Sequence, residues 1–169
     1  MAKNTAKKTA QALKLGSLVK DSITGFTGIA IARTEFAYGC VHIRIQATGM
    51  TEAGEPVGAH SFDDQRIEVL APPSQEWPEP KKSKIKLGDV VRDLLTGAVG
   101  IATSQTVRID GATKLIVEQP GLTKDGEPRP PFYGSIECLQ VVDRRELTVS
   151  ATSVATSGGP MSREINDLD

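Results

Sequence analysis

The segment from Lys14 to Leu70 recurs without a gap as the segment from Lys86 to Val142, so every residue has a counterpart at a constant offset of 72 positions. KLGSLVKDSITGFTGIA becomes KLGDVVRDLLTGAVGIA, and TGMTEAGEP becomes PGLTKDGEP towards the far end of the unit. About a third of the 57 paired positions are identical. Self-similarity at a fixed period constrains architecture before any local signal does. A unit of this size sits near the lower limit for a self-sufficient hydrophobic core, so packing between the copies, or against other subunits, is expected to matter. The chain therefore divides into an arm (1–13), a first repeat (14–70), a proline-rich linker (71–85), a second repeat (86–142) and a tail (143–169).

Within each repeat the signals are short strands separated by turns. Leu18-Val19-Lys20-Asp21 leads into Thr24-Gly25, Gly28 to Ala32 forms a second strand, and Val41-His42-Ile43-Arg44-Ile45 alternates with period two. Val69 and Leu70 close the unit. The second copy reads in parallel: Val90 to Asp93, Gly100 to Ala102, Lys114 to Glu118 and Glu137 to Val142. No window has a helical period. About five short strands in so short a unit predict an all-β fold of two tandem SH3-like barrels.

The shared glycines explain turns. Gly25/Gly97 and Gly28/Gly100 bracket a tight Thr-Gly-x-x-Gly turn that needs positive φ or close backbone approach, and Gly39/Gly111 belongs to a hairpin turn before the third strand. Asp21/Asp93 and Thr24/Thr96 are placed to bond turn amides. A phosphate-binding loop would need a helix after these glycines, and Ile29 to Ala32 reads as strand.

Charge is balanced, with 20 basic and 21 acidic residues, which gives no global attraction to nucleic acid or anionic membrane. It is uneven in detail: Lys3, Lys7, Lys8 and Lys14 lie in an arm without acidic residues, and Lys81, Lys82, Lys84 and Lys86 end the linker. Cys40 and Cys138 fall at different positions of the repeat, so two reduced, buried thiols are expected rather than a disulfide. No apolar run is long enough for a membrane span and no signal peptide is visible, which leads to the expectation of a soluble chain made in the cytoplasm.

Chemistry fails on inventory. His42 and His60 have no metal-ligand spacing, and the second copy replaces them by Lys114 and Phe132; His42, next to Val41 and Ile43, is expected to face solvent. Cys40 has Ala112 as its counterpart and no nucleophile context surrounds it; adjacent Asp63 and Asp64 point opposite ways on an extended chain. No catalytic, cofactor-binding or metal-binding residue is assigned, no cofactor is expected, and an enzyme is the least supported class. Candidate contact residues lie elsewhere: the arm lysines Lys3, Lys7 and Lys8, the single tryptophan Trp77 in the linker, and the exposed Gly-Glu-Pro loops with Glu55, Pro56, Glu127 and Pro128. Trp77 is either pinned onto a neighbouring barrel, the favoured reading, or held for a partner pocket. The tail opens with a possible strand, Glu146 to Val149, and continues without core-forming residues.

The Gly-x-x-Val-x-Asp opening followed by Gly-x-x-Gly-x-Ala resembles the KOW-type barrels of ribosomal proteins and transcription elongation factors, although aromatics are only 4% of the chain and the repeat bodies are near neutral. Lys14-Leu15-Gly16 through Asp21, Thr24-Gly25, Gly28-Ile29-Ala30, Arg33-Thr34-Glu35 and Gly39-Cys40 together resemble a KLGDxVxDxxTGxxGxA pattern of small tailed-bacteriophage proteins. Ser17 stands for the Asp in the first repeat; the second keeps Gly88-Asp89 but carries Gln105-Thr106-Val107 and Gly111-Ala112 further on. The resemblance implies a virion structural protein whose partners are the major capsid protein or neck and tail subunits, decorating or cementing the capsid or the head-to-tail region, oligomeric in the particle, with arm and tail as tethers. No functional residue carries over from it. Two other readings stand beside it: a nucleic-acid-binding or transcription-associated module using the lysines of arm and linker, and an adaptor that inhibits a host protein through Trp77.

Overall fold

The computed structural model describes residues 13–144; Lys3, Lys7, Lys8, nearly all of the arm, and residues 145–169 of the tail, where a strand was expected at Glu146–Val149, lie outside the described residues. Apart from two 3-10 turns, the regular structure of the described residues is all β-strand. The first copy carries β1 (Leu18–Asp21), β2 (Thr27–Phe36), β3 (Val41–Ala47), β4 (Ala59–Asp63), a 3-10 turn (Asp64–Arg66) and β5 (Ile67–Ala71). The second carries β6 (Val90–Asp93), β7 (Val99–Arg108), β8 (Thr113–Glu118), β9 (Phe132–Ser135), a 3-10 turn (Ile136–Cys138) and β10 (Leu139–Asp143). All pairings are antiparallel, and the ten strands form one sheet.

In each copy β1 pairs both β5 and β2, β2 pairs β3, and β3 pairs β4; β6 to β10 repeat this pattern. The alternation that forms the strands also sets what they bury. Val19, Ala30, Ile43 and Ile45 make the first core, with Leu15, Phe26, Phe62 and Val69 packed around it. Ile85, Val91, Ala102, Leu115, Val117 and Leu139 make the second. The two clusters share no residue, so each repeat buries its own apolar face.

The copies meet through backbone rather than through a shared core. Strands β2 and β7 are each ten residues long, about twice the length their apolar pattern suggests. Their second halves pair with one another: Ala32 with Arg108, Arg33 with Val107, Thr34 with Thr106, Glu35 with Gln105 and Phe36 with Ser104. Thr34 and Thr106 are counterparts, and their hydroxyls hydrogen-bond at 2.8 Å. A pseudo-twofold axis thus passes between these two threonines, and the seam is an isologous strand pairing within one chain.

An irregularity at the same place in each copy makes this possible. The β2–β3 register shifts between Ala30 and Ala32, and the β7–β8 register between Ala102 and Ser104. Each bulge bends its long strand, so the first half follows β1 or β6 and the second turns onto the seam. The bulged residues also close the seam: Ile109 N donates to Ile31 O at 2.8 Å, and Ala37 N to Thr103 O at 2.8 Å. Repeats read from the sequence as separate bodies on a stiff linker are thus hydrogen-bonded into one.

Two expectations about single residues need correction. Both cysteines are free, but Cys40 is exposed and Cys138 half-buried, because Cys40 stands in the β2–β3 turn, away from either core. His42 is half-buried rather than free in solvent, with its ring 5.0 Å from that of Phe36, edge to face.

Candidate interaction surfaces

The β1–β2 turn is built from Asp21. Its buried carboxylate accepts from Thr24 N at 2.8 Å and from the Thr24 hydroxyl, and Asp93 does the same with Thr96. Gly25 and Gly97 follow at φ 77° and 75°. Gly28 and Gly100 serve close approach instead: a Cβ would stand 2.1 Å from Gln46 O in one and 2.4 Å from Glu118 O in the other. The copies differ in electrostatics. Arg66 grips Asp21 with two hydrogen bonds of 2.8 Å, whereas its counterpart is Cys138 and Asp93 relies on Thr96 and turn amides. The Arg66 hydrogen bonds, opposed by burial and aided by Thr24, hold the Asp21 carboxyl well below the usual range, and Asp21 raises Arg66 in return. Asp93 is lowered as well, by its Thr96 hydroxyl first, against burial, and by the Leu95 and Thr96 amides.

The registers of β1, β2 and β3 put the β1–β2 turn and the β3–β4 loop at the same end of each repeat, remote from the pseudo-twofold axis. The β3–β4 loops are tightly formed. Thr51 N donates to Glu55 O at 2.7 Å, Glu55 N donates to Thr51 Oγ1 at 3.2 Å, and Met50 bridges Pro56. The second copy repeats all three, with Thr123, Glu127, Leu122 and Pro128. Glu55, Pro56, Glu127 and Pro128 are exposed. Beside them stand apolar side chains not singled out from the sequence: Met50 and Leu122 in these loops, exposed by 70% and 59%, and Ile23 and Leu95 in the turns, exposed by 74% and 81%. Their signal was available, since each is an apolar residue kept at a turn position in both copies.

The linker crosses one face of the molecule. Trp77 lies against Gly16, where a Cβ would meet its indole at 2.4 Å, and Pro78 and Glu79 lie against Gly111. Lys81 then accepts from Thr113 Oγ1 at 3.3 Å through its carbonyl, and its ammonium pairs with Glu137 at 2.7 Å. That pair raises Lys81 and lowers Glu137, each chiefly through their mutual hydrogen bond. Trp77 is therefore pinned within the chain, as favoured from the sequence, and still 39% exposed. Between linker and seam runs a cleft of about 940 Å³, lined among others by Leu13, Leu15, Arg33, Trp77, Val107 and Arg108. A second groove of about 540 Å³ runs along β10 beneath Lys82, Lys84 and Arg144.

Several guanidinium groups near these surfaces face carboxylates: Arg33 pairs with Glu35, Arg108 with Asp110 and Arg144 with Asp89. Among the described residues no cluster of three or more His, Cys, Asp or Glu could hold a metal ion, and no helix is long and apolar enough to cross a membrane. No protein-family model matches the sequence, and neither a curated protein nor a solved structure matches it.

Proposed function

We propose that this chain is a bacteriophage virion structural protein that decorates the capsid or the head-to-tail region and acts by protein–protein binding alone. We read each half as a small SH3-like barrel, on the strength of the strand order β5-β1-β2-β3-β4 with a 3-10 turn between its last two strands in sequence, repeated in the second copy. The observation that carries the proposal is the β2–β7 seam. It fixes two equivalent ends at a set separation, each bearing a formed loop with an exposed apolar residue and a glutamate. A rigid body with two equivalent contact ends suits bridging of neighbouring, like subunits, where bivalency multiplies a modest contact. The sequence resemblance to tailed-phage proteins points the same way.

Nucleic-acid binding is the second reading, favoured by Lys82 and Lys84 along the groove beside β10. The carboxylates paired with Arg33, Arg108 and Arg144 weaken it, since phosphate neutralisation needs uncompensated cations. Mass spectrometry of purified particles, with copy number taken against the major capsid protein, separates the two. Many copies per particle support decoration and a small ring-like number supports the neck. Absence from particles, together with salt-sensitive binding to nucleic acid, would replace the proposal by the second reading.

A further inference from the structure

Among the described residues β10 pairs with β6 alone, so its other edge is open. Hydrogen-bonded pairs alternate along an antiparallel ladder. Leu94 N donates to Cys138 O at 2.8 Å, which turns Cys138 and Gln140 towards β6 and the amides and carbonyls of Leu139 and Val141 towards the open edge. The groove of about 540 Å³ runs along that edge, between β10 and the end of the linker. Its floor is apolar, formed by Ile85, Ile136, Leu139 and Val141 at the margin of the second core. Lys82 and Lys84 line it as well, both exposed and without a carboxylate partner among the described residues. The other two cations of the groove are already taken, Lys81 by Glu137 at 2.7 Å and Arg144 by Asp89 at 4.0 Å.

The first copy has a different set of residues at these positions. Asp64 and Glu68 stand where the second copy has Ile136 and Gln140, and Ala10 and Ala12 are the sequence counterparts of Lys82 and Lys84. Around one strand edge the second copy therefore has two carboxylates fewer and two ammonium groups more. Glu137, in place of Gln65, is the one acid added to the groove lining, and Lys81 neutralises it. We infer that this edge binds an extended, acidic segment of a partner protein, which adds to β10 as a further strand. The backbone of Val141 pairs with the incoming chain whatever its sequence, and the period of two supplies selectivity: alternate apolar side chains lie on the floor, and the acidic ones between them meet Lys82 and Lys84. A nucleic-acid strand would use the ammonium groups but neither the apolar floor nor the open amides. A second copy of β10 would set lysines against lysines, the usual guard against edge-to-edge pairing of like chains. The contact serves any protein partner and does not rest on the virion reading.

The test is a nuclear magnetic resonance titration of the full-length chain with a capped hexapeptide that alternates Glu with Val. Shifts are expected at Leu139 to Val141, and exchange of the Val141 amide is expected to slow by about tenfold or more, because it gains a bonded partner. Lys82→Glu with Lys84→Glu is expected to weaken the peptide at least about tenfold, since both charges facing it are reversed. The same peptide with Lys in place of Glu is expected not to bind. No shift at millimolar peptide, or binding untouched by the charge reversal, would overturn the inference. Displacement of the peptide by oligothymidylate that binds more tightly would assign the groove to nucleic acid instead. Protection of Val141 in the free protein would also overturn it, assigning the edge to a second copy if it rises with protein concentration and to the chain itself if it does not.

Discussion

Asp21 and Asp93 occupy equivalent buried turns, yet only Asp21 has a guanidinium partner, and that difference sets their response to acid. A carboxyl whose pKa is lowered by folding contributes stability that is fully present above its ordinary value, near 4, and is lost as pH falls below that value. The Asp21–Arg66 contribution is therefore complete at neutral pH and declines in the acid range. Arg66→Cys, which installs the residue of the second copy, leaves Asp21 buried with only the amide and hydroxyl of Thr24. It is expected to lower the melting temperature at pH 7 and to flatten its dependence on pH below 4, as read from melts across pH 2–7. An unaltered acid profile would show that the pair does not govern it. Gly28 is sensitive for a different reason. The Cβ of Gly28→Ala would meet Gln46 O at 2.1 Å, so the β2–β3 ladder must part, at a cost of about 1–3 kcal/mol in denaturant titrations. In the core, Ile45→Ala is expected to cost about 2–5 kcal/mol, because the removed methyls leave a cavity in a closed cluster.

Among the elements, the long strands matter most. In the first halves of β2 and β7, alternate residues are buried against their own core; in the second halves, Arg33 to Phe36 and Gln105 to Val107 are all half-buried. The seam thus gains little apolar burial and is held by backbone pairing and the Thr34–Thr106 contact. Replacing both threonines by valine in a double-mutant cycle is expected to give a coupling of about 1 kcal/mol, typical of one net hydrogen bond. Along the seam the hydrogen-bonded pairs alternate from Ala37/Thr103 to Ile31/Ile109, so Gln105, opposite Glu35, gives its amide to β2; Gln105→Pro removes that seam donor and is expected to split one melting transition into two, as seen by calorimetry. These features also decide what was legible in the sequence. Val19, Ile43 and Ile45 alternate with polar residues, so β1 and β3 could be read, and Asp21, Thr24 and Gly25 marked their turn. The seam could not be read, because pairing through backbone leaves no hydrophobic period and only Thr34/Thr106 is identical within it. Strand β4 was missed because Ala59 to Asp63 shares no identity with Pro131 to Ser135, and the Gly-Glu-Pro loop before it drew the reading towards turn. Trp77 stood out as a lone aromatic among prolines. Its seat on Gly16 did not, since a glycine in a turn is first read as a conformational device.

At the scale of the molecule, duplication has turned what would be a two-subunit interface into an intrachain one. The advantage is asymmetry: the linker crosses one face, and the copies have diverged at Arg66/Cys138 and His60/Phe132 while keeping the seam and the end loops. Two equivalent ends on one rigid body imply that loss of either converts bivalent into monovalent attachment. Met50→Asp or Leu122→Asp alone is expected to weaken particle binding by about 100-fold or more, and the double change to abolish it, as measured by occupancy on purified particles. All of this depends on the two repeats being one body. The most direct measurement is a search for through-space nuclear magnetic resonance contacts across the seam, on the full-length chain in solution. Contacts between Arg33 and Val107, between Thr34 and Thr106, and between Glu35 and Gln105 are expected, with intensities like those between β2 and β3. Their absence, with the β1–β5 and β2–β3 contacts intact, would leave two barrels on a linker and contradict the single sheet.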